Sequence, residues 1–250
     1  MAISPEEPVY SFYRKPRFSV NHLAEYLETR TAPQRTAVIR KAKFPKKNTV
    51  IAYQQITHDI NRFFPSGEKA ADYFAPTIDR MQKKARRETG HAQDEALRCA
   101  RAIKEFSKTF NRRRLSGYRY DARPAKLSMP IKGVTINIRL NASIFQDVDG
   151  ETYSGGLVLF MSGSDENRKN IESRRKTVAQ CIHWALEMSG GNVEPLPRLC
   201  MSFDVFGNTV TRATDSFSRM RENVTESCRE AARAWDDVEP PAKYDGPDWR

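Results

Sequence analysis

The sequence predicts an α/β (α+β) protein in which a mixed sheet of about five strands is flanked by helices and carries an N-terminal helical region. Three observations lead to this class. Apolar residues recur at helical spacing through most of the first 115 residues, residues 132–162 have the pattern of two strands joined by a tight turn, and a long helical pattern follows them. A chain of 250 residues can also bury a core without disulfides.

The N-terminal part divides into an irregular arm, residues 1–17, and a helical region, residues 18–116. Prolines interrupt the arm. Ser19 is predicted to cap the first helix, Pro33 fits the first turn of a second, and a third covers about 49–64. In the second helix Val38 and Ile39 are expected to face inward. Its cations are expected to face outward: Arg35, Arg40, Lys41 and Lys43.

Residues 67–114 are predicted to be mostly helical, with a break at Gly90-His91. The second half carries a clear apolar stripe. Its members are Ala96, Leu97, Ala100, Ile103, Phe106 and Phe110. This pattern predicts a helix packed on a core along one face.

An α/β core is predicted over residues 117–235, with its first helix from about 95. Residues 122–130 suit one strand, and a second alternates from Val134 to Ile144. Asp149-Gly150 favours a two-residue turn because both positions tolerate positive φ. The return strand, Thr152 to Ser162, contains an apolar run at 157–160, which predicts a central position in the sheet.

The remainder of the core is predicted to be a long helix, a second hairpin and a final helix. The long helix covers about 165–189, the hairpin covers 199–212 around Gly207-Asn208, and the last helix covers about 214–235. Residues 236–250 are acidic and rich in proline, and they are expected to form a flexible tail.

Composition favours a polyanionic partner. The formal net charge is +11, which suits nucleic acid first and an anionic membrane surface second. The four cysteines are scattered without metal-ligand spacing, which indicates a reducing, cytoplasmic setting. No apolar stretch approaches the length of a membrane span, so no membrane association is expected.

Three basic clusters are candidates for phosphate contact. Two of the clusters, at 83–87 and 112–114, end helices, where cations also complement the helix dipole, so both interpretations stay open for those two. The nucleic-acid-binding candidates are Lys83, Lys84, Arg86, Arg87, Arg112, Arg113, Arg114, Arg174, Arg175 and Lys176.

The order of elements after residue 90 is helix, three strands, long helix, strand pair and helix. This order resembles the core of the PD-(D/E)XK, or restriction-endonuclease-like, superfamily over about 95–212. The resemblance implies an Asp from the second core strand, and an acidic residue and a Lys from the third. In that family the carboxylates hold Mg²⁺ and the Lys helps to activate water.

This chain departs from the family pattern at both strands. Asn141 stands where the resemblance places the Asp, and Val158 stands where it places the Lys. Asn141 lacks the charge that a hard cation prefers, and Val158 cannot activate water. The core is therefore expected to be catalytically degenerate.

Four carboxylates are weak candidates for catalysis: Asp147, Asp149 and Glu151 at the hairpin tip, and Asp204 in an apolar strand. The tip acids could hold a metal ion. Turn chemistry explains Asp149-Gly150 equally, and a solvated turn is the preferred interpretation.

The first functional hypothesis is a nucleic-acid-binding protein with a degenerate nuclease-like core and no cofactor, DNA being favoured over RNA. By analogy with the superfamily, it suits bacterial antiviral or mobile-element defence. The alternative is an active nuclease that uses Mg²⁺ or Mn²⁺ with Asp147, Asp149 or Glu151 and Asp204. The third hypothesis is a scaffold whose basic faces bind acidic protein subunits.

Overall fold

The computed structural model describes residues 9–47, 53–112, 115–121, 125–161 and 168–249. These residues form an α/β arrangement of seven α-helices and eight strands. The helices are α1 (Val20–Glu28), α2 (Ala32–Lys43), α3 (Gln54–Phe63), α4 (Ala70–Arg87), α5 (Gly90–Arg112), α6 (Arg168–Ser189) and α7 (Ser218–Ala234). The strands are β1 (Arg17–Ser19), β2 (Arg119–Tyr120), β3 (Lys126–Ile131), β4 (Val134–Arg139), β5 (Ala142–Val148), β6 (Glu151–Phe160), β7 (Glu194–Asp204) and β8 (Thr209–Arg212).

The chain forms two compact units from interleaved segments. The terminal unit contains the described parts of Met1–Val50, Ser128–Ile138 and Ser216–Arg250. The central unit contains those of Ile51–Leu127 and Arg139–Asp215. The predicted boundaries are linear and place α1 and α2 with α3 to α5, whereas in the structure α1 and α2 share a unit with α7. Sequence order alone does not reveal such a return of the chain.

The terminal unit is built on a three-stranded sheet in the order β1-β4-β3. β1 runs parallel to β4, and the β3–β4 turn places Lys132 and Gly133 at φ 45° and 84°. The predicted helix starts are confirmed: the Ser19 hydroxyl accepts from the His22 amide at 3.1 Å, and Pro33 lies in the first turn of α2.

The outward position predicted for Lys43 is wrong. Its side chain is buried, and its ammonium donates to the carbonyls of Trp235, Val238 and Asp236 at 2.8, 3.0 and 3.3 Å. The ammonium also lies 5.3 Å from the ring centres of Phe44 and Trp249. These carbonyls follow Ala234, the last residue of α7, so no helical hydrogen bond satisfies them and Lys43 does so instead.

The C-terminal segment, predicted to be a flexible tail, makes specific contacts in the terminal unit. The Asp245 carboxylate accepts from the amides of Val9 and Tyr10 at 2.9 and 3.0 Å. The hydrogen bonds from these two amides lower the pKa of Asp245, because they favour its charged form. Residues of the predicted arm and tail are thus joined to each other.

The central unit contains a five-stranded mixed sheet in the order β2-β5-β6-β7-β8. β6 is the middle strand, as the apolar run predicts. β5 and β6 are antiparallel, β6 and β7 are parallel, and β7 and β8 are antiparallel. Positive φ values at Asp149, Gly150 and Asn208 confirm the two predicted hairpin turns.

The predicted continuous strand from Val134 to Ile144 is wrong. It divides at Leu140-Asn141 into β4 and β5, which belong to different sheets. Burial still alternates across the break, since Ile138, Leu140 and Ala142 are all buried. The pattern therefore gives no sign of the division. Of the predicted strand 122–130, residues 122–124 lie outside the described residues, and residues 126–130 belong to β3, which pairs in the small sheet.

Aromatic packing joins α3, α4 and α5 to the five-stranded sheet. Phe106 of α5 stacks on Phe203 of β7 with ring centres 5.5 Å apart, and Phe63 lies 4.8 Å from Phe74. The predicted α5 stripe is buried at five of its six positions. Leu97 is the exception, with 52% of its surface exposed.

Candidate nucleic-acid interface

The hairpin-tip carboxylates lie at one end of the five-stranded sheet and are solvent-exposed. The Thr152 hydroxyl donates to Asp147 at 2.6 Å, and the Tyr153 hydroxyl donates to Glu151 at 2.9 Å. The bond to Glu151 raises the pKa of Tyr153. Asp149 occupies the positive-φ turn position. These contacts fit a solvated turn.

Asp204 lies at the other end of the same sheet. The β6–β7 register pairs it with Phe160, nine residues along β6 from Glu151. At about 3.3 Å per residue, roughly 30 Å separates the two ends. A metal site built from Asp204 together with the tip carboxylates is therefore excluded. Among the residues that the structure describes, no group of three His, Cys, Asp or Glu side chains is placed to hold a metal ion.

Asp204 instead forms a buried ion pair with Arg175 of α6. The second carboxylate oxygen accepts from the Gly207 amide at 2.8 Å, which fixes the β7–β8 turn. The Ser202 hydroxyl donates to the Arg175 carbonyl at 3.0 Å and joins the same two elements. Arg175 was predicted to contact phosphate; that prediction is wrong, because only 7% of the residue is exposed.

Asn141 has a structural role at the break between β4 and β5. Its side-chain oxygen accepts from the Leu159 backbone amide at 2.9 Å, and its backbone amide donates to the Leu157 carbonyl at 2.7 Å. Its side-chain nitrogen lies 3.4 Å from the Asn61 oxygen. Val158 is buried nearby in β6. Asn141 thus anchors the start of β5 to β6, and the amide oxygen already has a partner.

The cluster at the end of α4 is partly engaged with neighbouring side chains. Lys83 pairs with Asp79 at 2.7 Å, and Lys84 donates to the Gln55 side chain at 3.0 Å. Arg86 and Arg87 are exposed, and within the described chain no carboxylate pairs with either. This cluster keeps two cations available for a ligand.

The other two predicted clusters contribute less. On α6, Lys176 pairs with Glu172 at 2.8 Å and Arg174 is half-buried. The backbone of Arg112 ends α5, whereas Arg113 and Arg114 lie outside the described residues.

A fourth cationic surface lies on α5 and was missed by the sequence analysis. We call it the α5 basic face: Arg98, Arg101, Lys104 and Lys108. All four residues are exposed, and the spacing of three, three and four residues places them along one side of the helix. The sequence prediction for α5 rests on its apolar stripe alone. The cations at helical spacing on another side of the same helix were the signal in the sequence that could have revealed this surface.

Aromatic side chains border the α5 basic face. The Arg101 guanidinium lies 5.5 Å from the ring centre of Phe206, and the Phe206 ring lies 6.2 Å from that of Tyr53. Both rings are half-buried. Burial raises the pKa of Tyr53, while Arg98 and Arg101 act in the opposite direction. The face therefore combines cations with ring surface at one edge.

The sequence matches neither a protein-family model nor a curated protein. Among the described helices, none combines the length and apolarity needed to cross a membrane.

Proposed function

We propose that the protein binds nucleic acid through the α5 basic face and the adjoining end of α4, without metal-dependent cleavage. The observation that carries this proposal is the row of four exposed cations, Arg98 to Lys108, on one side of one helix. Ten residues of α-helix extend about 15 Å. That length corresponds to four or five phosphate steps of about 3.4 Å along one duplex strand.

Most of the cations on this face are available for a ligand. Lys108 pairs with Glu105 at 3.1 Å, whereas within the described chain Arg98, Arg101 and Lys104 pair with no carboxylate. Exposed ion pairs are weak, so Lys108 can exchange its partner for phosphate at little cost. The face can therefore neutralise several phosphates without first losing strong internal contacts.

The end of α4 extends the same charged surface. The Gln93 side chain of α5 donates to the Ala85 carbonyl of α4 at 2.9 Å, so the end of α4 and the start of α5 are close. Arg86 and Arg87 follow Lys84 on α4 and are exposed. Two helices thus present cations to a polyanion.

The topology of the central unit supports the proposal of a degenerate nuclease-like core. In this unit α5 precedes β2, β5 and β6, and β5 runs antiparallel to both β2 and β6. The helix α6 then connects β6 to β7, which runs parallel to β6. The positions of the superfamily's acidic and basic residues hold Asn141 and Val158. We therefore propose recognition without hydrolysis, DNA as the favoured ligand over RNA, and a cytoplasmic role in antiviral or mobile-element defence.

The experiment is a binding and cleavage assay with labelled single- and double-stranded DNA and RNA. The test variant is Arg98→Gln/Arg101→Gln/Lys104→Gln. The control variant, Lys47→Gln/Arg219→Gln/Arg233→Gln, removes the same charge from exposed positions of the terminal unit.

We expect wild type and control to bind in EDTA, the test variant to bind much more weakly, and no protein to cleave in Mn²⁺. Equal binding by both variants would contradict the assignment to α5. Cleavage in Mn²⁺ would contradict the degenerate core, and absence of binding by wild type would favour an acidic protein partner.

A further inference from the structure

A second ligand site is indicated by a pocket of about 560 Å³ in the terminal unit. Its walls come from the arm, α1, the second half of α2 and the C-terminal segment. The volume lies within the range that small-molecule sites occupy in proteins. The residues that matter for its chemistry are Tyr10, His22, Arg40, Lys41, Phe44 and Lys46.

The pocket walls are held by contacts within the terminal unit. Tyr10 and Lys46 form an antiparallel bridge, and the Asp245 carboxylate holds the Tyr10 amide at 3.0 Å. Arg40 donates from Nε to the Glu239 carbonyl at 2.9 Å. The Phe44 ring packs against Tyr244 with centres 5.1 Å apart. A ligand would therefore meet a largely preformed site, which lowers the entropic cost of binding.

The charges around the pocket select an anion. Three cations line it, Arg40, Lys41 and Lys46, and among the residues that the structure describes no carboxylate lines it. Lys41 pairs with Glu25 at 3.0 Å, and this exposed pair can rearrange toward a ligand. Arg40 pairs with no carboxylate in the described chain. His22 is uncharged near neutral pH, because burial lowers its pKa, so it lines the pocket as a neutral ring and adds no charge to the three cations.

The remaining walls select a flat apolar group. Tyr10 and Phe44 line it as buried rings that are 8% and 2% exposed, and Ala37, Pro45 and Pro241 contribute aliphatic surface. A small inorganic anion would leave most of this surface uncovered. A ligand that joins an aromatic ring system to a phosphate satisfies both the walls and the cations. We propose that this pocket binds a nucleoside monophosphate, independently of the α5 basic face.

The test is calorimetric titration of the full-length protein with AMP, adenosine and inorganic phosphate separately. We expect AMP to bind at least about tenfold more tightly than adenosine or phosphate, because only AMP engages both parts of the pocket. Adenosine binding as tightly as AMP would overturn the role of the cations. Absence of AMP binding up to about 1 mM would overturn the site itself.

Variants locate the binding. Lys46→Gln should weaken AMP binding about tenfold, whereas Lys47→Gln, the exposed neighbour outside the pocket, should leave it within about twofold. Ala37→Phe fills the pocket without a charge change and should also abolish binding. The triple α5 variant should bind AMP normally, so failure of the nucleic-acid proposal would not affect this result. Equal effects of Lys46→Gln and Lys47→Gln, or normal binding by Ala37→Phe, would overturn the proposal.

Discussion

Arg175 and Asp204 form an ion pair in which both side chains are about nine-tenths buried, and the pair joins α6 to the end of β7. Each residue was a candidate for a different function when only the sequence was considered. Arg175 was expected to contact phosphate, and Asp204 was a weak candidate for metal binding. The pair assigns both to the architecture of the central unit.

Asp204→Asn should destabilise the protein by roughly 3–5 kcal/mol, because it leaves the buried Arg175 charge without a counterion. The double variant Arg175→Met/Asp204→Leu should recover much of that loss. Urea unfolding monitored by circular dichroism measures both effects. Asp147→Asn at the exposed hairpin tip is the control, and its effect should stay within about 0.5 kcal/mol. Equal effects of Asp204→Asn and Asp147→Asn would contradict the structural role.

Lys43→Met should destabilise the terminal unit by roughly 2–4 kcal/mol, since three carbonyls lose their charged donor. The variant should also increase hydrogen exchange over residues 236–249, whose contacts depend on the end of α7. Lys15→Met, which changes an exposed lysine of the same unit, should alter neither quantity. Unchanged exchange in the Lys43 variant would show that the segment is held by other contacts.

Gly155→Ala should destabilise the central unit by roughly 3 kcal/mol or more, because the new methyl group would overlap the Leu199 carbonyl. A backbone oxygen in the neighbouring strand cannot move aside as a side chain can. Gly191→Ala is the matched control, since nothing lies within 4 Å of its Cβ position and its φ is not in the left-handed region. Thermal unfolding of the two variants should separate them clearly; similar midpoints would contradict the close β6–β7 packing.

His22 should make stability depend on pH below neutrality. Burial lowers its pKa from the ordinary 6.5, Lys41 lowers it further, and Glu25 opposes both. The folded pKa is thus below the unfolded one, so the contribution is complete above about pH 6.5 and is lost as the pH falls through the folded pKa. His22→Gln should therefore lose less stability than wild type between pH 7 and 5. Exposed His58→Gln should follow wild type, and parallel curves for all three proteins would contradict this account.

Local sequence patterns predicted most elements because short-range chemistry determines them. Asp149-Gly150 required a tight turn, and the apolar spacing of Ile103 and Phe106 required a packed helix. The break at Asn141 escaped prediction because alternating burial continues when a chain passes from one sheet to another. Lys43 and Arg175 were assigned to the surface because charged residues rarely lie inside. Their partners, which lie just after α7 and in β7, are distant in sequence.

The candidate site was predicted only in part for a related reason. Clusters of adjacent cations, such as Arg86-Arg87, are conspicuous in a sequence. The α5 basic face is spread over eleven residues between apolar positions, and it becomes a surface only when the helix is formed. A prediction based on cations that are adjacent in the sequence therefore included Arg175 and omitted Arg101.

The central claim, phosphate contact by the α5 basic face, is tested most directly by the salt dependence of nucleic-acid binding. The slope of log affinity against log salt should be less negative by about 2.7 for Arg98→Gln/Arg101→Gln/Lys104→Gln than for wild type, since each lost duplex contact contributes about 0.9. The slope of the charge-matched control should equal that of wild type. Equal slopes for wild type and the α5 variant would contradict the claim.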